Sequence, residues 1–216
     1  SFPFFDETKE LTESTRKEAS GSFIALSDGV THYELGGPKD GMPIVLVHGF
    51  SVPCFIFDPL FEFLKNSGFR VLRYDLFGRG YSDKPHVRYD IHLFVRQLKD
   101  LLDALEMTEI TLLGLSMGGP VTTSFINMHP GYVGKHILID PSGAARVELT
   151  RILEMTKLPI LGELFIGLFG SYSMIKALAS DFFDPELVAL FQAKYKAQME
   201  FKGFKQAILS TMRGGM

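Results

Sequence analysis

A single cysteine, Cys54, is the only thiol in 216 residues. That excludes an intrachain disulfide framework and is compatible with a reducing compartment, so a cytoplasmic location is the expectation. Cys54 itself reads as a small apolar residue early in a helix. No run reaches the ~18 consecutive apolar residues of a membrane span. The longest, Leu158 to Gly170, is too short and holds Glu163, so no transmembrane segment is expected. Net charge is −3 with no Lys/Arg cluster, which offers nucleic acid nothing to bind. The histidines are scattered, with no His-x-x-His or Cys-x-x-Cys, so neither a metal nor a cofactor is expected. There is no internal repeat and no low-complexity segment. The chain begins Ser1-Phe2-Pro3 rather than with Met, which suggests that something has been removed before it, and no signal-peptide pattern is visible.

What is present is an ordinary globular composition, 46% hydrophobic and 22% charged, with length for one sizeable core or a core plus a small lid. The most informative stretch is Gly114-Leu115-Ser116-Met117-Gly118. It follows the apolar run Ile110 to Leu113 and opens a helical run, Pro120 to Met128. Gly-x-Ser-x-Gly at a strand-to-helix junction is the nucleophile-elbow pattern: the serine sits on a strained turn with its hydroxyl clear of the sheet. Glycines flank it because a Cβ there would strike the neighbouring strand or the helix. Two further apolar runs end in glycine-bearing loops. Pro43 to Val47 leads into His48-Gly49-Phe50, and Phe69 to Tyr74 leads into Asp75-Leu76-Phe77-Gly78-Arg79-Gly80. Short buried-type strands alternating with helical runs imply an α/β fold with a mostly parallel sheet.

Taken in order, residues 6–19 are charged and predict a short surface helix. Phe23–Leu26 and Thr31–Leu35 flank Ser27-Asp28-Gly29 and predict a hairpin. Phe57, Leu60, Phe61 and Leu64 share one helical face, with Gly68 suited to the position just past its end. Ile91, Phe94, Leu98, Leu101, Leu102 and Leu105 make the cleanest amphipathic helix. The elbow helix stops at His129, before Pro130. A last strand, Lys135–Ile139, ends at Asp140-Pro141. Residues 145–213 show only helical periods, and Asp184-Pro185-Glu186 reads as a helix start. Most phenylalanines of this block serve helix packing, while some, such as Phe165, Phe169 and Phe183, are candidates to line an apolar pocket over Ser116.

The combination of His48-Gly49-Phe50, Asp75 with Gly78 and Gly80, and Gly114 to Gly119 resembles the α/β-hydrolase superfamily, most of all its esterase, lactonase and carbon–carbon hydrolase branch. The match covers about residues 20–142 in register. The resemblance implies an α/β-hydrolase core over 1–142 and an inserted helical cap or lid over 143–216. It makes Ser116 the nucleophile, and the backbone N–H groups of Phe50 and Met117 the oxyanion hole. His48 is a structural loop residue in that family rather than the base. Relatives with aspartate in the elbow are dehalogenases and epoxide hydrolases, and Ser116 argues against both.

A serine nucleophile needs a base and an acid to orient it, in the order Ser, Asp or Glu, His. Only two histidines follow Ser116. His129 lies at the far end of the elbow helix, ~20 Å away. His136 begins a parallel strand at the edge opposite the elbow, ~16 Å along. His32, His86 and His92 precede the serine and read as surface residues. Asp140 ends its strand on the same sheet edge as Ser116 and is a candidate triad acid, with loop capping as its alternative. The resemblance places the missing acid and histidine after the cap, so a C-terminal core segment is expected outside this chain.

The leading expectation is a serine hydrolase, carboxylesterase- or lipase-like, that cleaves an ester or lactone with an apolar acyl or aromatic part. A small hydrophobic ester would be its partner. Carbon–carbon bond hydrolysis or cofactor-free perhydrolysis would use the same nucleophile. A non-catalytic relative that binds a hydrophobic ligand, as plant hormone receptors of this fold do, is the alternative of another class.

Overall fold

The computed structural model describes residues 4–143, 158–180 and 184–214. The sheet is built from β1 (Ser22–Leu26), β2 (Gly29–Gly36), β3 (Pro43–Val47), β4 (Arg70–Tyr74), β5 (Ile110–Leu115) and β6 (Val133–Ile139). Their spatial order is β1-β2-β4-β3-β5-β6. The hairpin β1–β2 is antiparallel and joins β4 antiparallel, whereas β3, β4, β5 and β6 pair in parallel.

The central strands are largely apolar because both their faces are covered. Val45, Val47, Leu72 and Tyr74 pack with α3 (Ile91–Ala104) and with α4 (Gly118–Met128), through Phe94, Leu98, Val121 and Phe125. The alternate residues Ile44, Leu46, Val71 and Leu113 meet Phe57 and Phe61 around α2 (Asp58–Asn66). The strands' period of two therefore assigns each residue its layer. At the other end of the sheet, β6 pairs with β5 alone, and Ile137, Leu138 and Ile139 are each more than 40% exposed among the described residues.

The charged N-terminal stretch forms helix only over α1 (Glu13–Arg16), much less than the 6–19 expected, under a Thr12–Thr15 capping box. Residues 4–10 go elsewhere. Phe4 is buried, the Glu7 carboxylate accepts from the Gly203 and Lys205 N–H groups, and Lys9 bridges to Phe201. Periodicity could not show this, because the partners lie almost 200 residues away.

The later block is helical where described: α5 (Leu161–Phe165), a π-helical turn (Ile166–Gly170), α6 (Ser171–Ser180), α7 (Pro185–Met199) and α8 (Phe204–Arg213). The Asp184 side chain accepts from the Glu186 N–H, as its sequence predicts. Ile166, Leu178, Phe191, Tyr195, Met199, Phe204, Ile208 and Leu209 form a second apolar cluster, against which Phe50, Val52 and Phe55 pack. Helix continues through Ser171, so Leu161–Ala179 makes 19 residues of mean hydropathy 1.2, 22% buried, which by length and composition is long enough to cross a membrane.

Candidate active site

Ser116 stands between β5 and α4 with φ +51, a left-handed conformation that a residue with a Cβ adopts only under constraint. The constraint is visible. The Ser116 N–H donates to the Ile139 carbonyl (3.0 Å), and the Ser116 carbonyl accepts from Gly119 N–H (2.9 Å) and Ser142 N–H (3.0 Å). Close packing holds the turn as well. A Cβ on Gly118 would overlap the Val47 carbonyl oxygen, and one on Gly49 would stand 3.2 Å from Ser116 Cβ and 3.7 Å from its Oγ. Gly118→Ala should therefore cost about 2 kcal/mol or more of stability, checked by urea unfolding.

The loop after β3 thus lies directly against the serine. Among the described residues, neither the Phe50 nor the Met117 N–H donates to a protein acceptor. His48 explains how the Phe50 N–H is presented. It is fully buried, and burial lowers its pKa to about 4, so it is neutral. Its Nδ1–H donates to the Gly49 carbonyl (2.9 Å), and its Nε2 accepts from the Leu76 N–H (2.9 Å). The Gly49 carbonyl and the Phe50 N–H share one peptide plane, so this bond orients that N–H.

The same pKa makes a pH prediction. The folded value lies below the unfolded one near 6.5, so the unfolded chain alone takes up a proton as pH falls from about 6.5 to 4. His48 should cost about 2 kcal/mol of stability between pH 6.5 and 5, and His48→Gln should lack that component in denaturation at the two pH values.

Asp75 anchors the other side of the loop. It is 1% exposed, and its carboxylate accepts from Cys54 N–H (2.8 Å), Tyr81 N–H (2.9 Å) and His32 Nδ1–H (2.8 Å). Burial alone would raise its pKa, but the His32 charge and these donors outweigh it and hold the carboxyl well below the usual range. His32 is buried, not at the surface as the hairpin suggested. Desolvation opposes its charge, but the Asp75 carboxylate and the Ser20 carbonyl at Nε2 (2.6 Å) raise its pKa. Alternation along β2 gave no warning, since Thr31 is buried as well.

His32, Cys54 and Asp75 offer possible metal-ligand atoms within 4.8 Å of one another, beside a cavity of about 240 Å³ lined also by Arg73 and Gln198. These groups do not fit an ion as they stand. His32 bonds through both ring nitrogens, both carboxylate oxygens of Asp75 accept hydrogen bonds, and burial raises the Cys54 thiol pKa well above its ordinary value.

The other candidates are placed as follows. Ser142 Oγ lies 3.3 Å from Ser116 Oγ, a neighbour the sequence did not single out although it follows Asp140-Pro141 directly. Asp140 is exposed at φ +41 and makes no hydrogen bond to a histidine among the described residues. His136 Nε2 pairs with Thr122 Oγ1 (2.8 Å), and His129 packs on Phe125 and Tyr132, so neither meets Ser116. Phe165 and Phe169 pack on each other at 5.7 Å between ring centroids, Phe169 being 54% exposed, and Phe183 lies outside the described residues.

The sequence pattern of the alpha/beta hydrolase family matches residues 44–209. The chain belongs to that family. Within it, a non-heme chloroperoxidase of Streptomyces lividans is 30% identical over 118 residues, 54% of this chain and 43% of that protein. A haloalkane dehalogenase of Psychrobacter cryohalolentis is 34% identical over 101 residues, 46% of this chain and 33% of that protein. The chain therefore spans less than half the length of these hydrolase relatives. Among solved structures, the enol-lactonase of Burkholderia xenovorans LB400 superposes with a TM-score of 0.72 at 21% identity, covering 89% of this chain and 72% of that one. At that identity the likeness speaks for the fold.

Proposed function

We propose that this alpha/beta hydrolase chain carries the nucleophile and oxyanion hole of a serine hydrolase acting on a carboxylic ester or lactone with an apolar acyl or aromatic part. The observation that carries the reading is Ser116 at φ +51 with its hydroxyl beside the Gly49–Phe50 loop. Ser116 Oγ adds to the carbonyl carbon as its proton passes to a base, and the carbonyl oxygen takes the negative charge. The Phe50 and Met117 N–H groups stabilise that charge, a contribution worth ~10²–10³ in rate per donor. Collapse breaks the carbon–oxygen bond, the leaving alkoxide takes the proton, and water then releases the acid from Ser116.

The base is not among the residues described around Ser116, so the reading requires a histidine supplied in addition, with Asp140 or a further carboxylate as its orienting acid. The apolar cluster of the π-helical turn and α6–α8, against which Phe50 packs, supports an apolar substrate. Likeness to a non-heme chloroperoxidase favours perhydrolysis as a second reading on the same serine, with peroxide in place of water. A serine where dehalogenation uses a carboxylate speaks against the dehalogenase reading. The test is turnover of short and medium p-nitrophenyl esters and an aromatic lactone, with imidazole added as the base and with and without hydrogen peroxide. Ester turnover lost in Ser116→Ala is expected, and no turnover with either nucleophile would overturn the reading.

A further inference from the structure

Arg79 is fully buried, yet no carboxylate faces it among the described residues. Its three kinds of donor go to neutral oxygens: Nε to the Phe50 carbonyl (2.8 Å), one Nη to the Phe77 carbonyl (3.2 Å), the other to Thr211 Oγ1 (2.9 Å). The guanidinium sits among the rings of Phe50, Tyr89 and Phe94, at 5.4–6.0 Å from their centroids. Burying a cation without a counter-ion is expensive, and arginine keeps its proton even there. Simple space filling would be met by methionine at less cost. What the arginine adds is a rigid fork joining two places that no other side chain joins here, the carbonyl of Phe50 and helix α8.

That helix is seated closely on the Asp75–Tyr89 loop. A Cβ on Gly78 would overlap Ala207, the Tyr89 N–H donates to Ser210 Oγ, and Thr211 Oγ1, 2% exposed with its residue, also donates to the Ala207 carbonyl. Phe50 is clamped on both sides: His48 holds the peptide before it and Arg79 the peptide after it. His48 is wired wholly within the core, whereas Arg79 runs to the block of helices.

We infer that Arg79 is a positioning residue that couples the seating of α8 to the placement of the Phe50 N–H, so that the oxyanion donor is held in place only while α8 is docked. This rests on the proposed role of Phe50 in a serine hydrolase. Burial lowers the Arg79 pKa only to about 10, so the fork stays charged at neutral pH.

The test uses the whole chain and the variants Thr211→Val, Thr211→Ser, Arg79→Lys and Arg79→Met. Hydrogen exchange read by mass spectrometry on peptides covering residues 48–53 and 207–214 measures the coupling directly. Thr211→Val, a change on α8 alone, should speed exchange about 10-fold at 48–53, and Thr211→Ser should restore it. Arg79→Lys and Arg79→Met should do the same without loss of cooperative unfolding. Exchange at 48–53 that stays at the wild-type rate in Thr211→Val and Arg79→Met overturns the inference. Labelling of Ser116 by a fluorophosphonate and by its phosphorus–sulfur analogue, which accepts hydrogen bonds more weakly, reads the consequence. The oxygen-to-sulfur rate ratio should fall about 10-fold in Thr211→Val with the binding constant for the probe unchanged. An unchanged ratio beside altered exchange would remove Phe50 from the oxyanion hole. Absence of any adduct on wild-type protein, even with imidazole added as the base, beside coupled exchange would sink the hydrolase reading and leave the Arg79 coupling standing.

Discussion

Ser116→Ala is expected to abolish covalent modification by a fluorophosphonate, lowering the labelling rate by roughly 10³-fold or more. The serine is the residue whose backbone the fold strains, at φ +51, and whose hydroxyl meets the Gly49 loop on one side and Ser142 Oγ at 3.3 Å on the other. A hydroxyl held that way serves attack on an electrophile better than it serves packing. Intact mass spectrometry reads the outcome as one adduct on the wild-type chain and none on the variant. Because the described residues place no base beside Ser116, added imidazole should accelerate labelling of the wild-type chain and leave Ser116→Ala unlabelled. Equal labelling of both proteins, or a wild-type chain inert with and without imidazole, would overturn the assignment of the nucleophile.

Asp75→Ala is the second large effect, this time on stability. The carboxylate is nearly inaccessible and gathers the charge of His32 with the N–H groups of Cys54 and Tyr81. Removing it leaves the buried His32 Nδ1–H and two backbone N–H donors without their partner. Breaking a buried ion pair from one side costs about 3–5 kcal/mol, a large part of the stability of a domain this size. Urea denaturation at pH 7 should show it. His32→Ala should cost less, because a carboxylate left with two N–H donors is better satisfied. The double variant should lose less than the sum of the two, the pattern of interacting partners. Additive losses would mean that the pair contributes only as two independent packing groups. The pair is strongest in a defined window. The contribution of Asp75 is lost as pH falls below the unfolded carboxyl value, and that of His32 is lost as pH rises through its raised folded value.

Much of the frame is legible in the sequence. Pro43–Val47 and Ile110–Leu113 are apolar on both parities because parallel strands are covered on both faces, and they lie side by side in the centre of the sheet. Gly114-Leu115-Ser116-Met117-Gly118 specified its own turn, since only small flanking residues fit between Val47 and the start of α4. Asp184 and Pro185 marked a helix start from local chemistry alone. The misses share a cause. His32 looks like any hairpin histidine until Asp75, 43 residues on, accepts a hydrogen bond from its Nδ1–H. Residues 4–10 look like a charged surface stretch until Gly203 and Lys205 supply the N–H groups that Glu7 accepts.

By itself, then, the sequence determined the alternation of strands and helices, the elbow and its serine, because these follow from side-chain period and from the short-range sterics of glycine. The tertiary structure decided which polar groups are buried and with whom: His48 oriented toward Gly49, Asp75 gathering three donors, Arg79 bridging Phe50 and Thr211 across 132 residues from loop to helix. The physical reason is that a polar side chain's role depends on the partner that replaces its lost water, and that partner is supplied by the fold rather than by its neighbours in the chain.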